Sequence, residues 1–399
     1  METLESALAL LLSHAAPVPG RETVPLSCAR GRVAAQDIAS PIPVPPFDRS
    51  PLDGYALNSR DIAGASRERP VRLRVIGEAC AGCGEHFSVA RGEALRIMTG
   101  APIPEGCDCV IRQEDTDEGM EYAAIYARVS SGENICRAGE DVAQGACVMR
   151  AGERITSAHV GVLASLGVTQ VNVYARVRVA LLCTGDELVQ PGEALPYGKI
   201  YDANRAALTA RLSELGVQAH VLNSEGDDPE HVAAALQRAA QDADILLTTG
   251  GVSVGKKDIF HSVLPRMGAQ RLFWQVAMKP GSPLLCGLYE GKLLICLSGN
   301  PFAALACFEL FAKPVLARLE GSTERINPRT KAVLRGAFAK KSRGRRLIRA
   351  RCEGGNVYLT GENHSSGSLA SMIGCNCLID IPAGSDALSE GEPVEVIWL

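Results

Sequence analysis

The chain has 399 residues, of which 46% are hydrophobic and 22% are charged, a composition typical of a globular protein. This length exceeds one typical core, so about two to four domains are expected. The net charge of −4 gives no overall reason to expect nucleic-acid binding, and no apolar run approaches the roughly 20 residues of a membrane span. The N-terminus lacks the basic region of a signal peptide, so we expect a cytoplasmic protein whose fourteen cysteines are free thiols.

The first part of the chain contains one predicted helix, from Thr3 to Ser13, and then the proline-rich stretch Pro41–Pro46. This stretch is too rich in proline for a helix or a central strand, which indicates a domain boundary. Short apolar runs and glycine-containing turns follow and predict an inserted, mostly β domain. The predicted segments are an N-terminal and linker domain at 1–46 and 146–176 and the inserted domain at 47–145.

One loop of the inserted domain, Leu52–Ala56, contains an aspartate before a glycine turn. Asp53 either forms a local turn at the start of a strand or presents its carboxylate to a ligand. The spacing alone does not separate these interpretations.

From residue 177 to 320, strands alternate with helices, which predicts a doubly wound α/β domain. Its clearest element is the apolar run Ile245–Thr249, which leads into Gly250 and Gly251. Such a run predicts a strand buried on both faces, and the glycines allow a turn whose N–H groups bind phosphate before a helix that starts near Asp258. A plain glycine-rich turn is the alternative. A P-loop is rejected because Lys257 stands where Ser or Thr would bind Mg²⁺.

Two further apolar runs end in glycine-containing polar turns. Val177–Cys183 leads into Thr184–Glu187, and Leu293–Leu297 leads into Ser298–Pro301. Because ligands of open α/β sheets bind at the carboxyl edge, the three strand ends predict one shared site.

Several carboxylates lie near these strand ends. Beside phosphate-binding glycines, they indicate Mg²⁺ that bridges protein and phosphate. The alternative for each is a helix N-cap, which suits Asp227 or Asp228 before Pro229. These residues are Asp186, Glu187, Asp202, Asp227, Asp228 and Asp258.

Lys279 lies in a turn framed by Pro280 and Pro283 and suits an oxyanion, although a solvent-exposed lysine is the alternative. The residues therefore predict an Mg²⁺-dependent enzyme that acts on an anionic, phosphate-bearing small molecule.

Residues 321–399 predict a small C-terminal β-barrel. Between Arg325 and Arg351 the chain has eleven Lys and Arg residues and no acid. This basic stretch is a solvated face, a nucleic-acid patch or an attractor of oxyanions. Nucleic acid ranks last because aromatic residues are not interleaved.

The motifs together resemble those of the molybdopterin molybdenumtransferases, the MoeA-type insertases to which the E domain of gephyrin is similar. The resemblance covers nearly the whole chain. Two positions depart from the pattern: Gln275 stands where some relatives carry a second lysine, and Ser298 replaces a common proline. The motifs are Leu52–Ala56, Ile97–Pro102, Gly139–Asp141, Thr184–Glu187, Thr249–Gly255, Met278–Gly281 and Ser298–Pro301.

The resemblance implies an elongated homodimer that transfers molybdenum from molybdate to adenylylated molybdopterin and releases AMP, with Mg²⁺ as cofactor. The site would lie between the α/β domain of one subunit and the β domain of the other, which supplies Asp53, Thr99 and Asp141. Two alternatives remain, the adenylyltransferase that makes the substrate and a non-catalytic scaffold. Contact with that adenylyltransferase is also compatible with the resemblance, whereas no nucleic-acid or membrane partner is expected.

Within the α/β domain and the barrel, the resemblance implies three groups of residues. Glu187, Asp227 and Asp258 would hold Mg²⁺ and the adenylyl phosphate, with Asp186 and Asp228 as neighbouring options. The other ligand-binding residues would be Gly250, Gly251 and Ser253 for phosphate, Lys279, Arg349 and Ser366 for molybdate, and Asp202 and Asn300.

Overall fold

The computed structural model describes residues 1–82, 84–223, 226–252, 258–361 and 364–399. Among these described residues, the first part of the chain contains two α-helices and nine strands. They are α1 (Leu4–Ser13), β1 (Arg21–Pro25), β2 (Ile38–Ala39), β3 (Gly54–Leu57), β4 (Val71–Ala79), β5 (Glu93–Ile97), β6 (Cys109–Arg112), β7 (Tyr122–Ile125), β8 (Cys147–Met149), α2 (Ser157–Ser165) and β9 (Gln170–Tyr174).

Five of these strands form one sheet, in the order β6-β3-β5-β4-β7, inside the segment predicted as the β insertion. The interior strand β3, between β6 and β5, is buried along its whole length. It approaches β6 so closely that a Cβ on Gly54 would lie 1.9 Å from the carbonyl oxygen of Ile111. The glycine of the Leu52–Ala56 motif is therefore needed for sheet packing. The predicted outer limits of the domain, 47 and 145, stay predictions.

The middle of the chain alternates strands and helices, as predicted. Its elements are β10 (Val179–Cys183), β11 (Leu188–Val189), β12 (Ile200–Tyr201), α3 (Ala203–Glu214), β13 (Ala219–Val221), α4 (Pro229–Ala240), β14 (Ile245–Thr249), α5 (Phe260–Met267), β15 (Gln270–Trp274), β16 (Met278–Lys279), β17 (Leu285–Tyr289), β18 (Lys292–Leu297), α6 (Pro301–Cys307), the π-helix Phe308–Ala312 and α7 (Lys313–Leu319).

The α/β sheet has the strand order β13-β10-β14-β18-β17-β15. The first four strands are parallel, whereas at one edge β17 runs antiparallel to β18 and β15 runs antiparallel to β17. All five residues of β14 are buried. Leu247 packs with the core that includes α3 and α6, and Leu246 packs on the opposite face with α4 and α5. The predicted two-sided burial of this run is confirmed.

The C-terminal part forms a closed five-stranded barrel in the order β20-β21-β19-β23-β22, which the pairing of β20 with β22 closes. The short strand β16 of the preceding part adds to the barrel by pairing with β20. The predicted β-barrel is confirmed. The barrel strands are β19 (Arg329–Arg335), β20 (Arg345–Glu353), β21 (Asn356–Leu359), β22 (Cys377–Ile381) and β23 (Pro393–Trp398).

Helix α1 is tied to the barrel by charge. Glu5 accepts hydrogen bonds from Arg345 at 2.7 and 2.8 Å, and the Arg345 Nε donates to Asp380 at 2.8 Å. Asp380 is buried and also accepts from Arg329 at 2.7 Å. The buried Asp380 orients these two arginines within the barrel, and both arginines pair with Glu5 of α1.

The thirteen cysteines in the described part of the chain are free thiols, as expected. Within the same part, none of the helices is long and apolar enough to cross a membrane.

Candidate functional site

The turn after β14 has a backbone that requires glycine. Gly250 has φ +91° and Gly251 has φ +61°. A Cβ on Gly250 would lie 2.0 Å from the carbonyl oxygen of Thr184, at the end of the neighbouring strand β10. The Thr184 N–H donates to the Thr249 carbonyl at 2.9 Å, so the first two predicted strand ends lie side by side.

The third strand end joins them through side chains. The Thr249 hydroxyl donates to the Ser298 carbonyl at 2.9 Å. The Asn204 amide donates to the Thr249 hydroxyl at 2.9 Å and to the Gly299 carbonyl at 2.8 Å. The strand ends therefore form one polar edge with a small cavity of about 70 Å³, lined by Thr184, Glu187, Leu188, Ile200, Tyr201, Asp202, Ala203, Asn204, Thr249, Gly250, Gly299 and Pro301.

Sequence analysis did not select Asn204. The available signal was an asparagine that follows Asp202 by two residues at the start of a helix. That position is common for local hydrogen bonds, so only the fold shows that its amide reaches two other strand ends.

A buried hydroxyl is available at the glycine turn. In the described part of the chain, Thr184 Oγ1 is buried and has no hydrogen-bond partner. It faces the turn, because a Cβ on Gly251 would lie 3.1 Å from this oxygen. A buried donor without a partner is costly, and a bound anion at the turn would satisfy it. The edge therefore has a donor suited to phosphate.

The predicted carboxylates lie around this edge in different environments. Asp186 and Asp227 exchange main-chain to side-chain hydrogen bonds, at 3.2 Å from Asp227 N and 3.4 Å from Asp186 N. The Glu187 carboxylate lies against Gly185, where a Cβ would come within 2.9 Å of it. The Asp258 side chain is only 5% exposed, and its Oδ2 lies 3.3 Å from the Nε2 of His261.

Two of the acids cap helices, which was their alternative role. Asp228 accepts from the Glu230 N–H at 2.9 Å at the start of α4, and Asp202 accepts from the Arg205 N–H at 2.9 Å at the start of α3. Asp202 also lines the cavity, so its cap leaves its position at the site intact.

The described residues contain no group of three His, Cys, Asp or Glu side chains placed to hold a metal ion. Mg²⁺ keeps several waters and commonly takes only one or two protein carboxylates together with substrate phosphates. The carboxylates at this edge fit an ion bound in that way and do not form a closed metal cage.

The predicted residues of the β domain form a separate group. Asp53 accepts hydrogen bonds from the Thr99 N–H at 2.7 Å and from its hydroxyl at 2.8 Å. Both bonds hold the pKa of Asp53 below its ordinary value, and the main-chain bond contributes more than the hydroxyl bond. Asp141 is exposed nearby, and its N–H donates to the Val44 carbonyl at 3.0 Å. None of the hydrogen bonds or ion pairs between described residues joins this group to the α/β edge.

The predicted oxyanion residues lie where the barrel meets the α/β domain. Lys279 is exposed on β16. Arg349 is fully buried, lies 3.9 Å from the Phe302 ring centroid, and donates to the carbonyls of Ser365, at 3.2 Å, and Ser368.

Ser366 contacts the same helix through its backbone. The Phe302 N–H donates to the Ser366 carbonyl at 3.0 Å. A Cβ on Gly367 would lie 3.8 Å from the side-chain oxygen of Asn300, so the barrel loop lies beside the third strand end. Ser253 lies outside the described residues.

Comparison with known proteins agrees with this architecture. Family models match at residues 2–167 (MoeA N-terminal region, domains I and II), 180–318 (probable molybdopterin binding domain) and 331–399 (MoeA C-terminal region, domain IV). Molybdopterin molybdenumtransferase 2 of Mycobacterium tuberculosis strain H37Rv is 37% identical over 382 residues, which cover 94% of both chains. The chain belongs to the MoeA family.

Other relatives of this MoeA-family protein are similar along their whole length. The molybdopterin molybdenumtransferase of Staphylococcus aureus strain MSSA476 is 35% identical over 379 residues, covering 94% of this chain and 90% of the relative. A crystal structure of the MoeA protein of Pyrococcus horikoshii OT3 superposes with a TM-score of 0.87 at 30% identity, with full coverage of both chains. The family resemblance seen in the motifs is confirmed, whereas the roles of individual site residues stay predictions.

The geometry of the glycine turn predicts a large difference between two similar substitutions. Gly250→Ala should destabilise the α/β domain far more than Gly291→Ala. Gly291 also has a positive φ, +77°, but no atom lies within 4 Å of the position that a Cβ would take there. Gly291→Ala should cost about 1 kcal/mol for its backbone conformation alone, and Gly250→Ala several times more because the new Cβ overlaps a backbone carbonyl. Urea unfolding followed by Trp274 fluorescence, in a Trp398→Phe background, measures both. Equal losses would contradict the geometry.

The hydrogen bonds of Asp53 predict a pKa change. Thr99→Val should raise the pKa of Asp53 towards its ordinary value, whereas Thr99→Ser, which keeps the hydroxyl, should leave it low. Because the folded pKa is depressed, the associated stability is present above the ordinary pKa and is lost as pH falls through the folded value. Carbon-13 NMR titration of labelled aspartate carboxyls measures the change. An unaltered Asp53 titration in Thr99→Val would show that the hydroxyl contributes nothing.

Proposed function

We propose that this MoeA-family protein transfers molybdenum from molybdate to adenylylated molybdopterin and releases AMP in an Mg²⁺-dependent reaction. The observation that carries this proposal is the meeting of three polar strand ends at one edge, beside a barrel loop that the buried Arg349 binds. The curated relatives named molybdopterin molybdenumtransferase support it at 35–37% identity over almost the whole chain.

The glycine turn would hold the phosphate end of the substrate. Gly250 and Gly251 bring main-chain N–H groups close to an anion, and Thr184 adds its buried hydroxyl. Glu187, Asp227 and Asp258 would hold Mg²⁺, which neutralises charge on the phosphoanhydride as AMP leaves. Asp186 would keep Asp227 in place through their reciprocal hydrogen bonds.

Lys279 would receive the molybdate beside the barrel loop that carries Ser366. A doubly charged tetrahedral anion requires cationic donors and hydroxyls to replace its water. Arg349 supports this arrangement because it donates a hydrogen bond to the loop carbonyl of Ser365 and packs against the Phe302 ring. Asn300, at the start of α6, would lie between the part of the site that binds the pterin and the part that binds molybdate.

The β-domain residues Asp53, Thr99 and Asp141 would act at the site of a second subunit. The resemblance to the MoeA-type insertases implies this arrangement, a site shared across a homodimer. Asp53 would act there as a carboxylate whose orientation is set by its two hydrogen bonds from Thr99.

The experiment is AMP release from adenylylated molybdopterin with Mg²⁺, with and without molybdate. The wild type should release AMP only with molybdate. Asp258→Asn should reduce release by at least about 100-fold, as expected when a charge that aligns the reacting phosphate is lost. The control is Asp242→Asn, an exposed acid that precedes β14, at the opposite end from the site.

Three results would contradict the proposal. AMP release that does not depend on molybdate would exclude insertion as the coupled step. Adenylylation of free molybdopterin with ATP, without molybdate-dependent release, would identify the adenylyltransferase instead. A folded protein with neither activity would point to a scaffold.

A further inference from the structure

The pairing of β16 with the barrel places a second cation beside Lys279. The two strands are parallel, with Lys279 opposite Arg346 and Met278 opposite Arg345. Neighbouring strands lie about 5 Å apart, and paired residues point to the same face of a sheet. Met278 is buried in the α/β core, so Lys279 and Arg346 share the other face, at the mouth of the barrel.

The two adjacent arginines of β20 have opposite surroundings. Arg345 is bound by carboxylates of Glu5 and Asp380. Arg346 lies over the Phe338 ring at 5.7 Å, and its Nε is buried without a hydrogen-bond partner among the described residues. A charged donor left unpaired in this way is costly unless an anion binds it. Arg346 therefore has the properties of a ligand-binding residue, and Arg345 those of a structural one.

His364 contacts the same phenyl ring as Arg346. Its ring packs edge-on against Phe338, with centroids 5.4 Å apart, and its Nδ1 is buried with no partner in the described part of the chain. The pKa of His364 is lowered, mainly by burial and then by the positive charges of Arg349, Lys340 and Arg346. A neutral imidazole can still donate one hydrogen bond to an oxyanion.

Arg346 provides a positive charge beside Lys279, which the neutral Gln275 does not. Gln275 is neutral, and its main-chain carbonyl accepts a hydrogen bond from the Glu2 N–H at 3.0 Å. A tetrahedral dianion needs more than the single charge of Lys279 to offset its dehydration. Arg349, on the opposite face of β20, binds loop carbonyls and Phe302, so it acts as a positioning residue for the loop that carries His364.

We propose that Arg346 and His364 bind the tetrahedral dianion together with Lys279, and that Arg346 supplies the second positive charge of this site. This inference rests on the proposed function for the identity of the dianion as molybdate. The oxyanion would then be recognised at the mouth of the barrel, and the phosphate would bind separately at the glycine turn.

The test is direct binding of molybdate to the full-length protein by isothermal titration calorimetry, with sulfate as a competing dianion. Arg346→Gln should weaken molybdate binding by roughly 10- to 100-fold, the range for one lost charged hydrogen bond. Arg346→Lys, which keeps the charge, should recover part of the affinity. His364→Phe should weaken binding less than Arg346→Gln, because it removes only a neutral donor.

The matched control is Arg343→Gln, an exposed arginine three residues earlier with the same charge change. It should alter the affinity less than about 3-fold, since distant surface charge is screened. Binding of adenylylated molybdopterin, measured separately, should be unchanged in Arg346→Gln and shows that the protein is folded.

Equal molybdate affinity in the wild type and in Arg346→Gln would overturn the inference. The proposed function would still stand in that case if molybdate-dependent AMP release persists. Molybdate binding that Arg343→Gln weakens as much as Arg346→Gln would also overturn it, because the effect would be general charge. A wild type that binds no molybdate would overturn it as well, and the AMP assay then decides the proposed function independently.

Discussion

The burial of β14 on both faces is the constraint on which the site depends. Inside the sheet, each backbone polar group of this strand is satisfied by β10 and β18, and helices cover both faces. Polar groups become available to a ligand only where the strand ends, at Thr249. Because the three strands are parallel and in register, their ends coincide and the glycine turn lies between Thr184 and Ser298.

The remaining parts of the chain place charge at this edge. Arg345 of the barrel pairs with Glu5 of α1, and β16 extends from the α/β domain into the barrel. Arg349 is buried at this junction and holds the barrel loop against the first turn of α6. The two domains therefore present a phosphate-binding turn and a cationic surface towards one place.

Much of the α/β edge could be predicted from sequence because its signals are local. Apolar runs that end in glycine indicate buried strands and their turns without any knowledge of partners. Signals that depend on tertiary contacts were missed: Asn204 reaches Thr249 only in the folded sheet, and Arg346 could not be told from the other basic residues before its pairing with Lys279 was seen. Strand direction was also not encoded locally, so the antiparallel pairings of β17 with β18 and with β15 were not foreseen.

The most direct measurement is the position of molybdenum in crystals grown with molybdopterin and molybdate, from anomalous diffraction at the molybdenum edge. The predicted result is one strong peak between the glycine turn at Gly250 and the barrel mouth, within contact of Lys279 and Arg346. A peak elsewhere, such as the cleft of about 570 Å³ beside Leu8 and Pro314, with the α/β edge empty, would contradict a catalytic site at the strand ends.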